Sequence, residues 1–303
     1  MKKLLFAVAL LAILAGCSQN ETVSVPETNY INFASSFVDN VTRADITKGN
    51  LTEFDVWGHA GSEVLFDGVK VYKDAGVWTY DDKKEWGAGK TYHFHAFAPT
   101  GVLQSDDLGT YPYVGRTRGL GDVIFTNTGD KDLIYAYNTY KQGLIVSDYT
   151  VKFTFSHLLS RVKFTFENHT DAEIEVSTIK ITNAVKQATL RTTEANIGNW
   201  VWDSSELGDF NFGSIGSIAK AVSATEPGKA EITQPLYMIP SIKRDYNVTF
   251  NLGGTLKAVT LKDVEFSLGG SYNIIIKITD TAAKYIEFDV ENVGEWDSYL
   301  NVQ

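Results

Sequence analysis

Two kinds of side-chain group in this sequence could in principle support chemistry: a histidine pair and three carboxylate pairs. His93 and His95 are two residues apart, so on a β-strand their imidazoles would share one face and could bind a metal together. No third ligand can be identified near them, and we interpret the pair as ordinary hydrogen-bonded or solvent-facing histidines. The carboxylate pairs are Asp81–Asp82, Asp106–Asp107 and Glu53–Asp55.

A glycosidase needs two carboxyl groups roughly 5–10 Å apart across a cleft, and the sequence alone does not exclude that arrangement. All three carboxylate pairs, however, lie near predicted turns, where aspartate favours hydrogen bonds with the local backbone. The Gly/Ser stretch 213–217 has no nearby histidine or aspartate to suggest a catalytic triad, and Gly89-Lys90-Thr91 leads into a strand rather than a phosphate-binding helix. We therefore predict no enzyme, no catalytic residue, no metal and no cofactor.

The single cysteine, Cys17, ends an N-terminal sequence that resembles a bacterial lipoprotein signal. Lys2 and Lys3 give the chain a basic start, and the apolar run 4–14 is shorter than the roughly 20 residues of a membrane-spanning helix but suits a secretory signal. The resemblance implies cleavage between Gly16 and Cys17, followed by attachment of acyl chains such as palmitate to the cysteine. Several acyl chains together hold a protein stably at a membrane. The alternative is an ordinary signal peptide that happens to contain a cysteine.

The segments that would position these residues are nearly all predicted strands. The chain has 27 basic and 37 acidic residues, a net charge of −10, so nucleic acid is a poor candidate partner. Apolar residues alternate with polar ones in many short segments separated by turn signals, and no long amphipathic helix is evident; this pattern predicts β-sandwiches. Two exceptions are the link 156–161, which could hold one helical turn, and the Gly/Ser/Ile-rich stretch 208–230, which is predicted as a long loop or as an excursion between sheets.

The length of 303 residues suggests two domains at roughly 150 residues each. Strand alternation restarts at residue 151, so we place the domain boundary just before it. The predicted organisation is a signal peptide at 1–16, a lipidated tether with an early strand at 17–43, an N-terminal sandwich at 44–150 and a C-terminal sandwich at 151–303.

The early strand is predicted from residues 30–37, in which Ile31, Phe33 and Phe37 lie on one face at a period of two. A polar, proline-containing stretch precedes it and is typical of a flexible tether. Arg43 follows shortly after the strand and is the only arginine before Arg116.

The ordered set of features resembles the fimbrillin family, the lipoprotein pilins that build type V pili. The resembling pieces are residues 14–17, the early strand with 42–44, 77–80 with Trp86, 92–99, 132–136, 151–162, 266–272 and 293–296. The family fold is two transthyretin-like β-sandwich domains in tandem. The resemblance therefore implies this fold, with the boundary near residue 150.

The resemblance also implies an assembly mechanism. In the family, the lipidated precursor reaches the outer surface and an arginine-specific protease removes the N-terminal strand. Here the cut would fall between Arg43 and Ala44, so the strand with Ile31, Phe33 and Phe37 would be removable. Its loss would leave an apolar slot and unpaired backbone groups, which a strand from another pilin subunit could fill.

The donor strand in this scheme would come from the C-terminal segment. Its candidate residues are Val293, Trp296, Tyr299, Leu300 and Val302. They do not alternate strictly, and residues 286–290 are expected to complete their own sheet instead.

The predicted function is thus a structural subunit of a surface fimbria, located first at the outer membrane through its lipid anchor. The alternative is a non-polymerising surface adhesin or glycan-binding lipoprotein, in which exposed tryptophans bind sugar. Stalk, tip and anchor subunits share the fold and are not distinguished by the sequence.

Overall fold

The computed structural model describes residues 29–37, 50–103, 122–141, 150–193, 196–202, 206–280 and 286–295. These residues form 20 β-strands in four sheets, and no α-helix occurs among them. The predicted all-β class is therefore confirmed. Within the same ranges, no helix is long and apolar enough to cross a membrane.

The largest sheet has seven strands and comes mainly from the first half of the chain. Across the sheet, the strands are β1 (Asn32–Phe37), β8 (Thr150–His157), β7 (Ile134–Lys141), β5 (Thr91–Ala98), β2 (Glu53–Ala60), β3 (Glu63–Asp74) and β4 (Val77–Thr79). Neighbouring strands run antiparallel except β1 and β8, which are parallel. Because side chains alternate between faces, one face buries an apolar core that is rich in aromatic residues.

Two further sheets pack face to face over a shared apolar core. One consists of β13 (Leu207–Gly213), β10 (Ile174–Val185), β17 (Ser241–Leu252) and β18 (Thr255–Phe266), with β14 (Gly216–Ile218) beside β10. The other consists of β15 (Gly228–Glu231), β9 (Ser160–Asn168), β19 (Gly270–Ile278) and β20 (Ile286–Glu295), with β16 (Leu236–Met238) beside β9. Phe166 on β9 contacts Phe250 on β17, with ring centroids 5.0 Å apart. This pair of sheets is a β-sandwich.

A small fourth sheet lies at the junction between the seven-stranded sheet and the sandwich. Its strands, in order, are β12 (Asn196–Val201), β11 (Gln187–Thr193) and β6 (Asp122–Thr126). One buried cluster joins Trp57 and Tyr135 of the seven-stranded sheet to Ala188 and Leu190 of β11. Apolar packing therefore continues from the first sheet into the second half of the chain.

Strand pairing crosses the predicted domain boundary in two places. The segment that begins at residue 150 is β8, and it pairs with β1 and β7 in the seven-stranded sheet. In addition, β6 from the first half of the chain pairs with β11 from the second half. The division into two domains stays a prediction, and these pairings would move its boundary to the link between β8 and β9.

One local prediction was wrong, and one of two alternatives was confirmed. Only Leu158 and Leu159 separate β8 from β9, so the link 156–161 forms strand ends rather than a helical turn. The stretch 208–230 is an excursion between sheets rather than a long loop, because most of β13 and all of β14 lie in one sheet and part of β15 lies in the other. Phe210 on β13 is buried in the sandwich core, which shows that tertiary packing outweighs the local glycine and serine content.

Candidate functional site

The candidate functional site is the position of β1 at the edge of the seven-stranded sheet. On one side β1 pairs with β8, from Asn32 opposite Thr150 to Phe37 opposite Phe155. On the other side, the residues just before β1 bond to the segment 84–86. The Ile31 N–H donates to the Lys84 carbonyl oxygen at 2.8 Å, and the Trp86 N–H donates to the Asn29 carbonyl oxygen at 2.9 Å. The start of the strand is therefore held from both sides.

The inward side chains of this segment are fully integrated into the core. Ile31 is 0% exposed and Phe33 is 4% exposed. Four aromatic rings surround Phe33, with centroid distances of 5.3 Å to Phe66, 5.5 Å to Tyr80, 5.7 Å to Phe153 and 5.8 Å to Phe94. Burying two such apolar side chains stabilises the fold by roughly 3–6 kcal/mol.

Tyr80 connects the strand to the opposite edge of the sheet. Its hydroxyl donates to the Ile31 carbonyl oxygen at 2.7 Å and accepts from the Lys84 N–H at 3.1 Å. Burial raises the pKa of Tyr80, so the phenol stays neutral and keeps its proton for Ile31. The sequence pattern around residues 77–80 indicated a strand but carried no signal for this hydrogen bond.

The predicted processing and anchoring residues lie outside the described residues. This group comprises Gly16, Cys17, Arg43, Ala44, Trp296, Tyr299, Leu300 and Val302. Phe37 and Val293 belong to β1 and β20 by their backbone, but their side chains are likewise outside the description. In the chain, the bond between residues 43 and 44 falls between β1 and β2, so a cut there would sever β1 from the remainder of the sheet.

The last described strand, β20, completes its own sheet. It pairs antiparallel with β19, from Ile286 opposite Ile278 to Glu295 opposite Gly270. Ile286 and Phe288 are half-buried against the sandwich core. Residues 286–290 therefore lie where the sequence analysis expected them.

The two histidines of the sequence analysis do share one face of β5. Nδ1 of His93 lies 2.7 Å from the Tyr137 hydroxyl, and Nδ1 of His95 lies 2.7 Å from the Tyr135 hydroxyl. His59 stacks on His93 with ring centroids 5.0 Å apart. Burial lowers the pKa of His95 to about 3, so its ring is neutral at physiological pH. Among the described residues no group of three metal-binding side chains is assembled.

The carboxylates are engaged in local interactions. Glu53 forms an ion pair with Lys70 at 2.5 Å, and hydrogen bonding from Lys70 lowers the pKa of Glu53. Asp55 is buried and accepts the Gly101 N–H at 2.7 Å, while burial raises its pKa. Asp81 accepts the Tyr72 hydroxyl at 3.1 Å.

Glu53, Asp81 and Asp82 line one surface cleft of about 780 Å³. A glycosidase acid at this cleft would need a raised pKa, which is opposite to the direction found for Glu53. Asp106 and Asp107 lie outside the described residues.

The profile of the fimbrillin-like family matches residues 41–296, most of the chain. This chain belongs to the fimbrillin-like family. Within this fimbrillin-like protein the match begins after β1, so the position of β1 is known from the structure and not from the family profile.

Solved structures share the fold of this fimbrillin-like protein at low sequence identity. The crystal structure of a candidate cell adhesion protein from Bacteroides ovatus has a TM-score of 0.57 at 12% identity, covering 89% of this chain and 98% of the other. A candidate cell adhesion protein from Bacteroides uniformis has a TM-score of 0.55 at 16% identity, covering 89% and 100%. No curated protein matches the sequence.

Proposed function

We propose that this fimbrillin-like protein is a structural, non-catalytic subunit of a cell-surface fimbria. It is exported as a lipoprotein anchored to the outer membrane through Cys17, trimmed by an arginine-specific protease between Arg43 and Ala44, and polymerised by donor-strand exchange. The observation that carries the proposal is the placement of β1: an edge strand with buried side chains, separated from β2 by the segment that contains Arg43.

The energetics of β1 fit a removable strand. After a cut at residue 43, only non-covalent contacts would hold the released segment, and its buried Ile31 and Phe33 side chains contribute roughly 3–6 kcal/mol. Departure of β1 would bare the edge of β8 and the aromatic slot around Phe33. An unpaired strand edge beside an apolar slot is a strong template for an incoming strand.

The donor in this proposal is the C-terminal segment of a neighbouring subunit, with Val293, Trp296, Tyr299, Leu300 and Val302 as candidate contacts. Leu300 and Val302 have the two-residue spacing of Ile31 and Phe33, so they could fill the same two positions on one strand face. Because β20 already pairs with β19, the residues beyond Glu295 are the part we assign to the neighbour.

The proposal is tested by treating the purified lipoprotein with an arginine-specific protease. Wild-type protein should convert from monomer to a ladder of polymers, and its new N-terminus should be Ala44 by mass spectrometry. The Arg43→Lys variant keeps the positive charge but removes the cleavage site, so it should remain monomeric. Polymerisation of Arg43→Lys equal to wild type, or a surface-exposed mature protein that still begins at acylated Cys17, would contradict the proposal.

A further inference from the structure

One surface cleft of the molecule carries two partly exposed tryptophans. It has a volume of about 760 Å³ and lies where the end of β12 meets the start of β17 and the turn from β18 to β19. We call it the tryptophan cleft, and its defining residues are Trp200, Val201, Trp202, Ile242, Glu265 and Leu268. This volume is in the range of sites that bind small molecules.

The cleft concentrates exposed apolar surface. Ile242 is 80% exposed, Leu268 43% and Val201 42%. These are three of the seven large aliphatic side chains that are exposed in the described part of the chain. Such clustering on one small concave surface is typical of a binding site rather than of scattered surface residues.

Both indole rings are held in place by contacts with the rest of the protein. The Trp200 indole N–H donates to the Leu158 carbonyl oxygen at 3.1 Å. The Arg244 guanidinium lies 4.8 Å from the Trp202 ring centroid, and its Nη2 donates to the Asn183 carbonyl oxygen at 3.0 Å. Because the rings are already ordered, a ligand that stacks on them would lose little affinity to side-chain ordering.

The charges of the cleft favour a neutral ligand. Glu265 is the exposed charged residue of the lining, and its carboxylate can accept hydrogen bonds from hydroxyl groups. Arg244 does not line the cleft, and its guanidinium is stacked on Trp202 and bonded to the Asn183 carbonyl oxygen. An anionic ligand would meet the Glu265 carboxylate and the overall charge of −10.

The size of the cleft favours a small ligand over a protein. Ten described residues line it, whereas a stable protein interface uses about 20–30 residues on each side. A sugar ring combines apolar C–H faces, which pack on aromatic rings, with hydroxyl groups, which bond to carboxylates. We propose that the tryptophan cleft binds a neutral oligosaccharide, a role that is independent of whether the subunit polymerises.

The test is isothermal titration calorimetry of the purified, uncleaved lipoprotein with maltotriose, cellotriose, chitotriose and mannotriose. Sialyllactose is the anionic control. At least one neutral trisaccharide should bind with a Kd below about 10 mM, and sialyllactose should bind more weakly. Trp202→Ala should weaken that binding about tenfold. Ile242→Ser changes a side chain that is 80% exposed, so it leaves folding intact and should weaken binding several-fold.

The matched control is Val222→Ser, because Val222 is 77% exposed but lies outside the cleft. This variant should bind like wild type. Absence of binding by all four neutral trisaccharides would overturn the proposal. Equal binding by wild type, Trp202→Ala and Ile242→Ser would also overturn it, since the ligand would then occupy another surface. Tighter binding of sialyllactose than of the neutral trisaccharides would refute the proposal that the ligand is neutral.

Discussion

The rings of Phe33 on β1 and Phe153 on β8 are stacked, with centroids 5.7 Å apart and ring planes 10° apart. Phe153 is also in edge contact with Phe54 of β2, so Phe33 joins an aromatic network that continues into the centre of the sheet. These aromatic contacts stabilise the position of β1 at the edge of the sheet. Under the proposed function, they would hold β1 in place until the chain is cut.

Truncation of the Phe33 ring should destabilise the uncleaved precursor. Phe33→Ala removes a buried ring that touches four others, so we expect the free energy of unfolding to fall by about 3–5 kcal/mol. Urea denaturation followed by circular dichroism measures this. Asn32→Ala is the neighbouring control, because the Asn32 side chain is exposed and the change should stay within about 0.5 kcal/mol. Similar losses in both variants would show that Phe33 packing does not hold β1.

A synthetic strand should rescue the trimmed subunit. After proteolysis and removal of the released segment, a peptide of residues 29–37 should raise the melting temperature, because a ligand that binds only the folded state stabilises it. The same peptide with Phe33→Ala should raise it much less, since it cannot fill the aromatic slot. A peptide with Asn32→Ala serves as the matched control. Equal rescue by all three peptides would mean that the slot contributes no specificity.

The free energy of unfolding should fall on acidification because His95 is buried in its neutral form. Its folded-state pKa is lowered to about 3 by burial, whereas the unfolded value is near 6.5. The unfolded state therefore binds more protons between these values, so stability is lost as pH falls from about 6.5 toward 3, by up to about 1.4 kcal/mol per pH unit. His95→Gln should flatten the dependence of the unfolding free energy on pH, which is measured by urea unfolding at several pH values. An unchanged slope in His95→Gln would show that His95 does not cause the dependence.

The buried pair Asp132–His157 should contribute more to the free energy of unfolding than a surface ion pair of similar length. Asp132 Oδ2 lies 2.6 Å from His157 Nδ1, with side-chain exposures of 1% and 6%. Asp132→Ala leaves the buried imidazole without this partner, and we expect a loss of about 3–5 kcal/mol in unfolding free energy. The exposed pair Lys163–Glu231, at 2.9 Å, is the control, and Glu231→Ala should cost under about 1 kcal/mol. Equal losses of unfolding free energy in the two variants would show that burial does not increase the contribution of the Asp132–His157 pair to stability.

Local patterning was enough to predict the strands that matter for the site. The period-two spacing of Ile31 and Phe33, and of Val151, Phe153 and Phe155, predicts strands with one apolar face, and the structure has both. The same rule placed His93 and His95 on one face. It did not predict that His95 is completely buried while His93 is only half-buried, because burial depends on what covers the sheet.

What the sequence by itself determined is therefore the β class, the two-faced character of each strand, and the presence of one arginine just after the first strand. Only the tertiary structure decided that β1 pairs in parallel with β8, more than a hundred residues away, and that β8 joins the seven-stranded sheet. The reason is physical: alternation is a property of a few neighbouring residues, whereas the choice of partner strand depends on the combined packing of distant side chains. For the same reason, Phe210 lies in the sandwich core although it occurs in a stretch whose composition favours a loop.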